Sequence, residues 1–262
     1  MLAALSVAAA LGAGGCGGRP THAAACADPA LRPAYLARVL RDASLPPFVT
    51  SVEYLDAQSF LQRHPRARAL PRLPAMLTLP DGEPQAPPVE GGRASRIVVL
   101  PGAFDRAVVQ SDVVFRLGLL EHEVHHARLT HRGYAEAAFG PAVLAALPPA
   151  VGRQLYDVVT ELDAYRHELE AARRHRGLPP EYYRMAAGAY LHYYVRLLDG
   201  ALPLPAGVRD ELVRTRFEPW MLGQPVLQRD ERGWRFVLDD RRYEFPPAVV
   251  AALRAGEAAA RR

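Results

Sequence analysis

The chain contains no lysine and no asparagine, and Ile97 is its one isoleucine. All 32 of its basic residues are therefore arginine, set against 28 acidic residues for a net charge of +4. Arginine, alanine and proline in place of lysine, asparagine and isoleucine is the codon habit of a GC-rich genome. The slight basicity thus carries no nucleic-acid signal. The arginines are scattered among acids, with the densest patch at Arg173-Arg174-His175-Arg176. Cysteine is nearly absent. Cys16 and Cys26 cannot build a disulfide framework, and no CxxC or Cys/His cluster supports a structural zinc site. No apolar run is long enough to span a bilayer in the mature protein, and no internal repeat stands at solenoid periods. What is present is globular composition. With 262 residues, half of them hydrophobic and 23% charged, the chain has ample material for a core and cannot be wholly disordered.

The first residues, MLAALSVAAALGAGG, are apolar from Leu2 to Leu11 and then small. This is the layout of a secretion signal. Ala13-Gly14-Gly15-Cys16 follows and resembles the lipobox of bacterial lipoproteins, with Ala13 where leucine is usual and no basic residue ahead of the apolar run. The resemblance implies acylation of Cys16, removal of residues 1–15 and anchoring of an exported protein to a membrane of the cell envelope. An ordinary signal would instead be cut near Ala23-Ala24-Ala25. Residues 16–30, small and polar, read as a tether.

Beyond the tether, residues 31–262 read as one α+β domain, mainly helical with a small sheet. Leu31 to Arg41 has helical apolar spacing. Residues 71–92 are proline-rich and read as an irregular loop with strand fragments at most. Ile97 to Leu100 reads as a short buried strand. A helix is expected from Ser111–Asp112 to about Thr130, with Ser111 or Asp112 as its cap and apolar positions at Val113, Leu117, Leu120 and Val124. Further helices are expected over about 151–175 and 181–198. A hairpin is expected around Asp239-Asp240, and a last short helix after Pro246-Pro247.

The helix ending near Thr130 carries Glu121-His122-Glu123-Val124-His125-His126. Within it, His122-Glu123-x-x-His126 is HExxH. Residues four apart on an α-helix lie about 40° apart around the axis, so two imidazoles there can grip one metal ion. Glu123 is then placed to take a proton from a metal-activated water. His125 could pair with His122 at three-residue spacing, but only the His122/His126 pair gives Glu123 that offset.

With these residues the chain resembles the HExxH zinc metallopeptidases, the zincins, over the helix around 112–131 and one further residue. The resemblance implies a zincin-like fold with an active-site helix, a second ligand-bearing helix and a small sheet. It also implies a Zn2+ cofactor, a peptide or protein substrate, and an edge strand before the active-site helix that pairs with the substrate, the place taken here by the strand at 97–100. The third ligand separates the branches. A metzincin would have glycine and histidine where Leu129 and Arg132 stand, and His131 points about 140° away from His126 on a continuing helix. A gluzincin takes a glutamate from a later helix. Glu161, beside the apolar stripe of Val158 and Leu162, fits that role. Asp163, His167 and Glu168 are the alternatives. Tyr134, Tyr165, His192, Tyr193 and Tyr194 are possible oxyanion donors.

The sequence therefore reads as an exported, membrane-tethered zinc hydrolase, with His122, His126 and Glu161 as metal ligands and Glu123 as general base. The alternatives are a non-catalytic envelope lipoprotein that binds a metal or a partner, and a helical structural lipoprotein in which the motif arose by chance.

Overall fold

A computed structural model describes residues 19–70, 72–81, 92–133, 147–175 and 178–198, the strands at 227–230, 233–238 and 241–244, and a few isolated positions beyond them. The chain mixes helices and strands, with helix predominating and small three-stranded sheets. It divides into two compact units, Met1–Tyr134 and Ala135–Arg262, where the sequence reads as one domain over 31–262. No helix among the described residues is long and apolar enough to cross a membrane.

The first unit opens with α1 (His22–Ala27), inside the stretch expected to be a tether. This short helix is capped by the Thr21 hydroxyl, and it packs: His22 and Ala25 are buried, and His22 Nε2 donates to the Ala103 carbonyl at 3.0 Å. The His22 ring sits among Tyr35, Phe104 and Phe115, with centroids 5.5–5.9 Å away. Small polar composition therefore conceals a packed helix, because alanine buries as readily as it solvates. Tyr35 comes from α2 (Arg32–Arg41), whose apolar side buries Tyr35, Leu36 and Val39 as its helical spacing requires.

Next come β1 (Val49–Tyr54), α3 (Ala57–Arg63), β2 (Met76–Pro80) and β3 (Ser95–Val99). Their sheet has the order β1-β3-β2, with β1 parallel and β2 antiparallel to β3. Ile97, Val98 and Val99 are fully buried, as befits β-branched residues on a strand covered on both faces. The strand expected at 97–100 is thus the central one and cannot receive a substrate. Among the described residues the edges are β1 and β2, and β2, which grows out of the proline-rich stretch, is the one that packs against the helix of the HExxH motif. Its sequence Met-Leu-Thr-Leu-Pro alternates. Leu77 and Leu79 pack on the cluster of Leu55, Phe60, Val98 and Leu100, which turns Met76 and Thr78 to the opposite face.

One continuous helix then runs from 112 to 131 in three pieces: α4 (Asp112–Arg116), a π-helical segment (Leu117–Glu123) and α5 (Val124–His131). The Ser111 hydroxyl caps it by accepting from the Val114 amide at 3.3 Å. Asp112 in the first turn accepts from Arg38, from Arg116 at 3.0 Å and from Tyr35 at 3.0 Å. The helix ends at Gly133, whose φ of +60° is one that glycine adopts at little cost, with the Arg132 amide bonded back to Arg128.

The second unit is built on α6 (Pro149–Ala172) and α7 (Pro180–Leu198), which pack on one another. Leu155, Val158, Val159 and Leu162 form the buried stripe of α6. Between these helices the Tyr182 hydroxyl donates to the buried Glu168 carboxylate at 2.6 Å, and the Tyr183 hydroxyl to the Ala172 carbonyl at 3.0 Å. Burial, together with the Glu168 charge, pushes the Tyr182 phenol well above its ordinary range. An antiparallel meander of β4 (Leu227–Asp230), β5 (Gly233–Leu238) and β6 (Arg241–Glu244) follows, with Leu238 paired to Arg241 across the expected hairpin. Positions 246–249, where a last helix is expected to begin, lie outside the described residues.

Burial acts to raise the Asp112 carboxyl, but its bonds to Arg116, Tyr35 and Arg38 outweigh that and hold it below the usual carboxylate range. A carboxylate depressed in the folded state stabilises it above the unfolded pKa, and that stabilisation fades as pH falls through the lower folded value. Asp112→Asn should therefore unfold more easily than the wild type in denaturant titrations at neutral pH. The difference should shrink in acid. A gap that stays constant into strong acid would rule out the charge as its source.

Candidate metal centre

His122 and His126 are held by the helix that packs against β2 and β3. His122 lies in the π-helical segment and is buried, with 7% of its surface exposed. At the end of that segment the Val124 amide reaches back five residues to the Leu119 carbonyl. The extra residue per turn changes the angular arithmetic of the four-residue spacing, yet the two imidazoles still meet. Their Nε2 atoms are 3.2 Å apart, with ring centroids at 4.9 Å and planes inclined by 69°. Two nitrogens bound tetrahedrally at zinc's usual bond length stand about 3.3 Å from each other. The pair therefore fits a single divalent cation, with the Nδ1 atoms left to carry the protons.

The other histidines of this helix have different surroundings. His125 is half-buried, and its Nδ1 lies 3.4 Å from the Arg128 guanidinium. His131 stacks on Phe48 at 4.7 Å with the rings nearly parallel. Gly92, at a φ of +92°, presses on the His131 backbone so closely that an added Cβ would stand 2.0 Å from its carbonyl oxygen.

Glu123 is buried, with 8% exposed. Its carboxylate Oε2 accepts from the Thr78 hydroxyl at 2.7 Å, and the same hydroxyl lies 2.9 Å from the Glu123 carbonyl oxygen. Thr78 sits on β2, on the face opposite Leu77 and Leu79. Sequence reasoning missed it because proline content hid the strand. The alternation of residues 76–80 was the signal that could have found it.

Within the second unit, Glu161 is half-buried on α6, beside the fully buried Val158 and Leu162. Tyr193 of α7 stacks on Tyr165 at 6.1 Å, and its phenol is pushed up to about 12 by burial first and by the nearby Glu161 charge second. Two of the alternative acids hold partners of their own. Asp163 is buried and lies 2.8 Å from the Arg166 guanidinium, and Glu168 accepts from Tyr182. His167 is half-buried and His192 exposed, while the Tyr194 ring is buried. Cys16 and Tyr134 lie outside the described residues. Cys26, on α1, is a thiol 3.7 Å from His22 Nδ1, pushed up by burial.

No family model matches the chain, and neither a curated protein nor a solved structure matches it.

The metal-free protein should bind zinc at about one ion per chain in equilibrium dialysis. His122→Ala and His126→Ala should each abolish that uptake while retaining the circular dichroism of the wild type. Uptake that persists undiminished in both variants would exclude the pair as ligands.

Proposed function

We propose that this protein is an exported zinc-dependent hydrolase that cleaves peptide bonds. The observation that carries the reading is the arrangement on one helix. Two imidazole nitrogens face each other at 3.2 Å, and the carboxylate one position after His122 is buried and fixed by a hydroxyl from the neighbouring strand. Glu161 is proposed as the third protein ligand. His122, His126 and Glu161 would each offer one ligand atom to a common ion. Two neutral imidazoles and one carboxylate are a donor set of catalytic zinc, which leaves a fourth position open. Zinc bound there would supply a Lewis acid for the substrate carbonyl and a water acidic enough to ionise at neutral pH.

The remaining chemistry belongs to the chain. Glu123 takes the proton of the attacking water and passes it to the departing amine, acting as base and then as acid. The peptide is proposed to lie along the outer edge of β2. In the antiparallel pairing of β2 with β3, the Leu100 amide bonds to the Ala75 carbonyl and the Asp81 amide to the Ala94 carbonyl. Odd-numbered residues of β2 thus bond inward. Met76, Thr78 and Pro80 turn their backbone groups to the outer edge. Pro80 brings no N–H, so this edge offers the amides and carbonyls of Met76 and Thr78 and one further carbonyl. An extended peptide satisfies these groups as an added strand, directly beside Glu123.

The protein is further proposed to be anchored through acylated Cys16. Only residues 17–21 separate Cys16 from the packed helix α1. At full extension that leash spans about 20 Å, so the first unit would work close to the membrane surface. Cys16→Ser should move the protein from the membrane fraction to the soluble one, and unchanged partition would overturn the anchor.

Glu123→Gln should keep stoichiometric zinc and lose peptide hydrolysis by at least about a hundredfold in kcat. Glu161→Ala should weaken zinc retention under dialysis against a chelator. Full hydrolysis in Glu123→Gln, or a wild-type protein that binds zinc and cleaves no peptide in a diverse library, would sink the hydrolase reading.

A further inference from the structure

A buried carboxyl can carry a proton to and from a reacting group only if it is held in place. Among the described residues, the Thr78 hydroxyl bonds this carboxyl and has a second acceptor in reach. Thr78 Oγ1 is 2.7 Å from Glu123 Oε2 and 2.9 Å from the Glu123 carbonyl oxygen. A hydroxyl owns one hydrogen and two lone pairs. It can donate to only one of these oxygens at a time, and turning it about its C–O bond selects which.

We propose that Thr78 is the positioning residue of Glu123 and holds its carboxyl in one place. The inference rests on the reading of Glu123 as the proton carrier. The hydroxyl hydrogen points to Oε2, the nearer of the two acceptors, and that bond fixes the carboxyl about its own axis. The remaining oxygen, Oε1, is left for the water. It takes the proton and gives it up while Oε2 keeps its bond to Thr78, so the carboxyl keeps its aim between its two proton transfers.

Three further observations separate this from an ordinary strand contact. The sheet has no need of the hydroxyl, since valine fills the same volume and favours strands at least as well. Thr78 also lies on the edge strand proposed to receive the peptide, so one residue fixes the base through its side chain and meets the substrate through its backbone. Its face of β2 points toward the metal-binding helix, while the opposite face packs Leu77 and Leu79 into the core.

The test compares zinc-loaded full-length wild type, Thr78→Val and Thr78→Ser on a peptide substrate. Thr78→Val should lower kcat about ten- to a hundredfold, the range for losing a partner that orients a reacting group. KM, zinc stoichiometry and thermal midpoint should stay near those of the wild type, and Thr78→Ser should restore most of kcat. A second readout needs no activity. In crystals of metal-free Thr78→Val, the Glu123 carboxyl should leave its present position or spread over several rotamers. Should Thr78→Val fail to fold, Thr78→Ala carries both comparisons. Wild-type kcat in the valine variant, or a serine variant no better than valine, overturns the proposal. So does a Glu123 carboxyl that stays in place without the hydroxyl. A wild-type protein that hydrolyses nothing fells the peptidase reading, and the crystallographic comparison still decides the role of Thr78.

Discussion

The site depends on one helix keeping polar side chains where a core would normally admit only apolar ones. His122 and Glu123 are adjacent, and both are more than nine-tenths buried. Adjacent positions on a regular helix diverge by about 100°, so burying both exposes little of that turn to water. An imidazole and a carboxylate removed from solvent cost several kcal/mol unless each finds a partner. Thr78 supplies one for Glu123. His126, by facing His122, supplies the geometry in which a shared cation becomes one for both imidazoles.

The frame around that helix serves the same end. The Ser111 cap and the Asp112 bonds to Arg38, Arg116 and Tyr35 fix its start, and the left-handed Gly133 fixes its stop. Between them, a π-helical segment carries Glu121, His122 and Glu123. Such segments occur mostly as local insertions in helices, and often at functional positions. Here it widens the backbone where the motif begins, while the following turns of α5 return to regular winding and place His126. The switch in winding falls within the motif, and the two Nε2 atoms still stand at a separation suited to a shared ion.

Much of this was legible in the sequence. Helical spacing located the segments at 32–41, 112–131 and 149–172 to within a few residues, because each buries a stripe of apolar side chains that repeats with the helical period, and the one at 180–198 was located by the Gly-Leu-Pro-Pro at its start. Asp239-Asp240 between two aromatic-rich runs located the β5–β6 hairpin. Three features were hidden, each for a physical reason. Helix α1 is too short and too alanine-rich to show a period, and only its burial of His22 reveals it. β2 lies in a proline-rich stretch whose prolines fall at its end and before its start, leaving the strand itself intact. The π-helical winding leaves no trace in composition, since it is set by how the helix packs. Thr78 was illegible for a further reason: its role comes from a partner 45 positions away, and short-range pattern cannot report such a pairing.

Gly92 illustrates a related point about tolerance to change. It contributes no side chain, yet any other residue there would drive a carbon atom into the His131 carbonyl at the foot of the helix that carries His122 and His126. In a saturation screen this glycine should therefore score as strictly as the histidines nine and five residues before His131. Intolerance at Gly92 would record a shortage of room, and a map of intolerant positions drawn for this protein should be sorted by available space before any position on it is credited with a part in the reaction.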